Sequence, residues 1–278
     1  MTKKAKTRAA DISVTITALI LGCIIIFPVV YCIFGAFKTR VEFGSYPPAL
    51  LPDSFANLEN FKEALDKPPL LRYMLNSLIV ACLGTAVRMT FSVLAAYSFA
   101  FFDFKGKKFL FLVVLATMML PGDTLMVTNY LTVSRLNLLD TYLGMCITSF
   151  VGASQMFMLR QNFRTIPRAL RDAARLDGCS DLRFLRSVVL PVSRPVLLTL
   201  CVQSFINLWN AYLWPLLVTN RDEMRTVQVG VTMLTAVGNT NYHLILAAVT
   251  LTLLPSFVMF IILRKNIVKG MTSGALVG

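Results

Sequence analysis

Long apolar stretches alternate with shorter polar ones along the whole chain. Because the main-chain polar groups of a segment in lipid must be satisfied within helices or closed barrels, the pattern predicts an all-α polytopic membrane protein, folded as one transmembrane domain over residues 1–278. Six stretches reach the about 20 residues that a helix needs to cross a bilayer: about 12–36, 75–102, 109–130, 142–163, 196–218 and 243–263. The first is longer than the about 7–15 apolar residues of a secretory signal peptide, so we expect an uncleaved span.

One polar interval, at about 164–195, has a helical pattern. Apolar residues recur there at positions 166, 169, 170, 173 and 176, which is the spacing of one helix face. Gly178 can take the left-handed conformation that ends a helix, and Ser180 with Asp181 can cap a second helix that runs to Leu190 and Pro191. The sequence therefore predicts two short helices joined at a glycine, an elbow shaped to fit a groove on a partner.

Composition and charge agree with a membrane protein. Hydrophobic residues make up 56% of the chain and charged residues only 15%, and the net charge is +13. With the N-terminus placed inside, residues 1–11, 103–108, 160–195 and 264–278 hold 18 Lys and Arg against 5 acids, whereas the opposite loops hold 7 against 8. This is the positive-inside pattern. We therefore interpret the charge as topology, with both termini cytoplasmic, and expect no nucleic-acid partner.

Polar side chains inside the predicted spans are costly and tend to face a cavity or another helix. Pro121-Gly122 predicts a break in the third span. The candidates for lining a translocation path are Arg88, Asp123, Asn129, Gln203, Asn207 and Asn210. Hydrogen bonding between helices, with an interfacial aromatic belt at Trp209, Tyr212 and Trp214, is the alternative interpretation.

The sequence offers little for catalysis or cofactor binding. It contains no G-x-x-x-x-G-K-[ST] phosphate loop, the motif that would bind ATP. The six cysteines lack the paired spacing of a metal site, and the one histidine, His243, has no acidic neighbour. We therefore predict no catalytic residue, no metal site and no cofactor bound directly by this chain.

The residues of the elbow are similar to a known motif. Asp172-Ala173-Ala174, followed by Asp177-Gly178 and Leu190-Pro191, resembles the Glu-Ala-Ala…Gly…Leu-Pro coupling motif of permease subunits in binding-protein-dependent ABC importers. Residues 209–216 (WNAYLWPL) and 268–275 (VKGMTSGA) extend the resemblance to the second permease of a carbohydrate importer of the maltose or glycerol-3-phosphate type. The chain departs from the motif in having Asp172 where the family usually has the longer Glu.

The resemblance implies the type I importer permease fold and a transport subunit rather than an enzyme. The chain would form half of the translocation path for an oligosaccharide or glycerol-3-phosphate class solute in a prokaryotic plasma membrane. Its partners would be a second permease, two ATPase subunits that carry ATP and Mg²⁺, an extracytoplasmic solute-binding protein and membrane lipid. The residues that would couple it to the ATPase are Arg171, Asp172, Ala173, Ala174, Asp177, Gly178, Leu190 and Pro191.

Two other classes of function are compatible with a polytopic chain. An autonomous ion-coupled secondary transporter or channel could use six spans, but the sequence has no evident inverted repeat and few acids in the membrane. An intramembrane enzyme would need clustered His, Asp, Glu or Cys side chains. Purification of the chain alone or with an ATPase would discriminate among these classes.

Overall fold

The computed structural model describes residues 3–47, 49–66, 69–236 and 241–272; within these ranges, the side chains of 3–11, 123, 235–236, 259–260 and 262–272 lie outside the description. The described residues form helices and no β-strand, which confirms the predicted all-α class. The chain divides into two compact units, residues 1–70 with 230–254 and residues 71–229 with 255–278.

The helices of the described residues vary widely in length. In chain order they are α1 (Lys3–Ala36), α2 (Arg40–Gly44), α3 (Glu59–Asp66), α4 (Leu70–Phe101), α5 (Lys107–Thr117), α6 (Met126–Arg135), α7 (Tyr142–Cys146), α8 (Ala153–Arg164), α9 (Arg168–Leu176), α10 (Asp181–Phe184), α11 (Leu190–Val192), α12 (Arg194–Trp209), α13 (Leu213–Val218), α14 (Val227–Ala236) and α15 (Tyr242–Thr272). Three 3₁₀ turns lie at Gly122–Leu125, Ile147–Ser149 and Asp222–Met224, and a π-helical turn lies at Leu185–Val189.

Two of the described helices are long and apolar enough to cross a membrane unaided: Ile12–Ala36 within α1, and α4. Two further pairs of helices are apolar enough when taken together, but each is bent, as in a broken span or a re-entrant loop. The pair Tyr142–Ser149 and Ala153–Arg164 bends by 50°, and the pair Asp181–Val192 and Arg194–Trp209 bends by 82°. The apolar helix Tyr242–Val258 is shorter than these. The boundaries of the six predicted spans stay a prediction.

The third predicted span is interrupted, as the Pro121-Gly122 pair predicts. Helix α5 ends at Thr117, a 3₁₀ turn covers Gly122–Leu125, and α6 begins at Met126. Proline has no N–H to continue the helix and disfavours helical geometry in the residue before it. The 11 residues of α5 rise only about 16 Å, so this helix alone is too short to cross the hydrocarbon core.

In the first unit, the segment after α1 folds back on the end of that helix. Asn60, which is buried, donates from Nδ2 to the carbonyls of Ala36 and Lys38 at 2.8 and 2.7 Å. Ala36 is the last residue of α1 and Lys38 follows the helix, so neither carbonyl has a partner within α1, and a side chain from α3 satisfies both.

In the second unit, α4 is held at both ends. Near its start, the buried Asn76 donates to the carbonyls of Glu223 and Arg225 at 2.8 and 2.9 Å and accepts from the Tyr142 hydroxyl at 2.8 Å. Near its end, an apolar cluster packs α4 against α8, the elbow and α12, and its buried members include Tyr97, Phe163, Phe184, Val189 and Leu200. This cluster places the predicted elbow against the end of α4.

Candidate coupling element and translocation surface

The joint between the two arms of the elbow forms as the sequence predicts. Gly178 has φ +71°, its N–H donates to the Arg175 carbonyl at 3.0 Å, and the N–H of Cys179 donates to the Ala174 carbonyl at 2.9 Å. This pair of bonds is the Schellman motif, which closes a helix through a left-handed glycine. Ser180 then caps α10, because its side chain accepts from the N–H of Arg183 at 3.4 Å. The predicted glycine joint and serine cap are both confirmed.

The second arm of the elbow is not a regular α-helix. A π-helical turn at Leu185–Val189 separates α10 from α11, and the arm meets α12 at the 82° bend. Pro191 explains the turn, since in an α-helix its ring would clash with the carbonyl four residues earlier. An extra residue in the turn removes that clash. The sequence predicts a helix in this arm that runs to Leu190 and Pro191, but it does not predict the π turn.

Helix α9 leaves its apolar face exposed. Ala169, Leu170, Ala173 and Leu176 are all exposed, and Leu176 keeps 89% of its accessible surface. The acidic side chain of Asp172 is exposed beside them and has no hydrogen bond or ion pair with any residue that the structure describes. An apolar helix face of this kind, edged by a charge, is typical of a surface that a partner covers.

Arg171 points the other way, toward the body of the unit. Its Nη1 donates to the main-chain carbonyl of Phe101, and its Nη2 lies 3.7 Å from Oδ1 of Asp181. The guanidinium also lies 5.5 and 5.6 Å from the ring centroids of Phe101 and Phe102. Arg171 therefore anchors α9 rather than contributing to its exposed face.

Three cations from different elements converge on the last carbonyls of α4 and the residue after it. Besides Arg171, Lys107 donates to the Phe102 carbonyl at 2.6 Å and Arg160 donates to the Phe99 carbonyl at 3.4 Å. The end of a helix carries unpaired carbonyls and the negative end of its dipole, so cations stabilise it. A displacement of α9 would therefore act directly on the end of α4.

The eight predicted coupling residues divide into two groups. Arg171 contacts the body through polar bonds, and Ala174 and Leu190 are partly buried against the apolar cluster. The other five are exposed: Asp172, Ala173, Asp177, Gly178 and Pro191. The exposed leucines Leu170 and Leu176 lie on the same face of α9 as Ala173. The eight predicted coupling residues do not include these leucines, although their helical spacing indicates them.

Three of the predicted path residues lie on one side of α12 and of the residue that caps its end, Asn210. Gln203, Asn207 and Asn210 are four and three residues apart, which places them on one side of a helix, and all three are exposed. The opposite side is buried through Val202, Phe205, Leu208 and Trp209. We call Gln203, Asn207 and Asn210 the amide stripe. Asn210 also accepts a hydrogen bond at 3.3 Å from Gln228.

The other predicted path residues lie elsewhere. Arg88, on α4, donates from Nε to the Ser149 carbonyl at 2.6 Å, at the break between α7 and α8 where carbonyls lose their helical partners. Asn129 is half-buried on α6. The side chain of Asp123 lies outside the described residues. The structure therefore brings together only the amide stripe.

The alternative of an aromatic belt is wrong for one of its members. Trp209 is only 1% exposed and stacks on Phe205 with ring centroids 6.0 Å apart. Trp214 is half-buried and donates from Nε1 to the Gly144 carbonyl at 3.2 Å. Trp209 is therefore a core residue, which its apolar and aromatic neighbours on the same face could have indicated.

Comparisons with known proteins agree with this geometry. Residues 88–273 match the model of the family described as "Binding-protein-dependent transport system inner membrane component". The chain is 31% identical to the arabinooligosaccharides transport system permease protein AraQ of Halalkalibacterium halodurans, over 95% of each chain. It is 34% identical to the sn-glycerol-3-phosphate transport system permease protein UgpE of Salmonella typhimurium, over 92% of this chain and 94% of that one.

A solved structure supports the fold. A chain of a bacterial ABC transporter involved in the import of the acidic polysaccharide alginate superposes with a TM-score of 0.83, over 96% of this chain and 99% of that chain, at 19% identity. The predicted importer permease fold is confirmed, and the family decides for a transport subunit against an enzyme. The chain belongs to the family of inner membrane components of binding-protein-dependent transport systems, and it is a permease subunit of an ABC importer.

Proposed function

We propose that this chain forms half of the translocation path of a sugar importer and couples it to ATP hydrolysis on a separate subunit through α9. One observation carries the proposal: α9 exposes Ala173, Leu176 and Asp172 while Arg171 fixes the same helix to the end of α4. A helix that is bound on one side and open on the other can pass a partner's movement into the membrane helices. The partners are a second permease, two ATPase subunits and an extracytoplasmic solute-binding protein.

The exposed face of α9 suits a hydrophobic groove. Its alanines permit close approach, and burial of Leu176 against a partner would contribute about 1.5–3 kcal/mol. Asp172 would pair with a cation of the ATPase. Because Asp is shorter than the Glu usual in the family, we expect α9 to sit closer to that cation than the corresponding helix of a Glu-containing relative.

The amide stripe is the proposed solute surface of this subunit. Each amide offers two donors and a carbonyl acceptor, which matches the hydroxyl groups of a sugar. No cation belongs to the stripe, and Arg88 is engaged with the Ser149 carbonyl. These features favour a neutral oligosaccharide over glycerol-3-phosphate as the solute.

Co-purification is the first test of this function. The tagged chain is extracted from its native membrane, its companions are identified by mass spectrometry, and ATP hydrolysis is measured in the eluate. We expect a second permease and an ATPase with a phosphate-loop motif. A chain that transports solute alone in liposomes would overturn the proposal in favour of an autonomous transporter.

Substitution of Asp172 tests the coupling helix. In the reconstituted complex, Asp172→Ala should reduce ATP-driven uptake while the subunits stay assembled. Asp53→Ala is the control, because Asp53 is an exposed acid in the loop between α2 and α3, away from the elbow in the sequence. Equal uptake by the Asp172→Ala variant and the unmodified complex would remove Asp172 from the coupling surface.

The solute class has its own test. ATP hydrolysis by the complex with its binding protein is measured with arabino-oligosaccharides and with sn-glycerol 3-phosphate. We expect stimulation by the neutral oligosaccharide only. Stimulation by the phosphorylated solute would show that selection does not follow the uncharged stripe.

A further inference from the structure

A strongly basic cleft lies beside α9. It has a volume of about 580 Å³ and is bounded by the end of α4, the start of α5, the end of α8 and the start of α9. Its two acids are Asp103 and Asp172. Its six cations are Lys107, Lys108, Arg160, Arg164, Arg168 and Arg171. The cleft is therefore built to hold a negative charge.

Three of these six cations have no partner among the residues that the structure describes. Lys107, Arg160 and Arg171 bind carbonyls at the end of α4. Lys108, Arg164 and Arg168 are exposed and have no hydrogen-bond or ion-pair partner among the residues that the structure describes. Arg164 also lies one helical turn after Arg160, a like-charge spacing that costs stability unless an anion compensates it. These three side chains are available to a ligand.

The position of the cleft indicates the kind of anion. Lys107 and Lys108 begin α5, and Arg160 and Arg164 end α8, so the cations lie at the ends of membrane-associated helices. The positive-inside pattern predicts this side to be cytoplasmic, where basic pockets between transmembrane helices meet lipid headgroups. The partly buried rings of Phe99 and Phe111 line the same cleft and offer an apolar wall beside the phosphate of a headgroup.

We propose that this cleft binds the phosphate of an anionic phospholipid headgroup. Lys108, Arg164 and Arg168 contact the phosphate, with Arg guanidinium groups suited to bidentate bonds to its oxygens. The cleft and the exposed face of α9 adjoin each other: Asp172 belongs to both, whereas Ala173 and Leu176 do not line the cleft. Bound lipid would thus lie beside Asp172 and leave Ala173 and Leu176 open to the ATPase.

Native mass spectrometry of the purified full chain tests the proposal and does not depend on transport. The chain is titrated in detergent with phosphatidylglycerol, with phosphatidylcholine and with inorganic phosphate. We expect preferential retention of phosphatidylglycerol, and a loss of at least about tenfold in its apparent affinity for the triple variant Lys108→Gln/Arg164→Gln/Arg168→Gln.

A matched triple variant separates a site from general charge. Arg183→Gln/Arg186→Gln/Arg194→Gln removes three exposed cations of the elbow and of α12 that do not line the cleft, and it should retain the lipid. Arg164→Lys/Arg168→Lys keeps the charge and should lose less than the glutamine variant. Lipid retention by this lysine variant would also show that the loss of lipid in the glutamine variant is not a failure to fold.

The other outcomes would overturn the proposal. Equal loss in the two triple variants would mean unspecific attraction to the basic surface. Retention of inorganic phosphate without preference for phosphatidylglycerol would replace the lipid by a soluble anion. Unchanged lipid retention combined with loss of ATPase binding in the cleft variant would assign the cleft to an acidic surface of the ATPase.

Discussion

The guanidinium of Arg171 in α9 donates a hydrogen bond to the main-chain carbonyl of Phe101 at the end of α4. This single side chain joins the proposed coupling helix to the longest helix of its unit. Asp181 at the start of α10 lies 3.7 Å from the same guanidinium, and its carbonyl accepts from the Tyr97 hydroxyl of α4 at 3.0 Å. Both arms of the elbow are thus attached to α4 by polar contacts.

Loss of the hydrogen bond between Arg171 and Phe101 should uncouple solute transport from ATP hydrolysis. Arg171→Ala leaves the Phe101 carbonyl without its partner, at a cost of about 1–3 kcal/mol, while the exposed face of α9 stays intact. We therefore expect the ATPase to bind normally but the number of solutes transported per ATP to fall. Uptake and ATP hydrolysis measured on the same proteoliposomes give that ratio.

Arg175, one helical turn after Arg171 in α9, provides the control. Arg175→Ala removes an exposed arginine of α9 and should change the ratio much less. Arg171→Lys keeps the charge without the planar fork and should give an intermediate ratio. If the ratio for Arg171→Ala equals that of the unmodified protein, α9 does not act through the end of α4.

Substitution of Gly178 should destabilise the elbow through backbone strain alone. A Cβ at Gly178 would meet no atom within 4 Å, but φ +71° costs most residues about 1–2 kcal/mol. Gly178→Ala should therefore loosen the elbow and raise its rate of cleavage by trypsin at Arg175 or Arg183 about 5- to 30-fold.

Asparagine provides the comparison at the same position. It tolerates left-handed geometry better than alanine does, so Gly178→Asn should be cleaved more slowly than Gly178→Ala. The opposite order would indicate that side-chain contacts rather than φ determine the stability of the joint.

Asn76 should matter for stability rather than for transport chemistry. Asn76→Leu removes its hydrogen bonds with the carbonyls of Glu223 and Arg225 and with the Tyr142 hydroxyl, at about 1–3 kcal/mol for each buried group that is left unsatisfied. We expect a clear fall in the midpoint of thermal unfolding in detergent. Asn207→Leu is the control, because Asn207 is exposed, and an equal fall in both variants would contradict the assignment.

The amide stripe should affect the solute step. Gln203→Leu and Asn207→Leu remove hydrogen-bonding groups from the exposed side of α12 and should lower ATP-driven uptake without preventing assembly. Gln161→Leu, an exposed amide on α8, should leave uptake unchanged. Uptake is measured at several solute concentrations, and indistinguishable rates for the three variants would place the path on another surface.

Sequence reasoning succeeded where the controlling interaction is local. The end of α9 depends on Gly178, the start of α10 depends on the Ser180 cap, and the break after α5 depends on Pro121. Each effect involves main-chain atoms within a few residues. Sequence reasoning failed for the π turn before Pro191, because several ways of relieving the proline clash are equally compatible with the same residues.

By itself, the sequence determined the all-α class, the apolar segments, the elbow and the family, because hydropathy, helix signals and motif residues are carried by neighbours along the chain. Only the tertiary structure decided that Arg171 turns inward, that Asn76 of α4 bonds the carbonyls of Glu223 and Arg225 far along the chain, and that Trp209 is buried. These outcomes depend on which distant carbonyls and rings meet each side chain. From the sequence alone, an arginine in a polar helix is equally compatible with facing a partner or facing its own chain. Arg171 faces its own chain because the unpaired carbonyls at the end of α4 bind it.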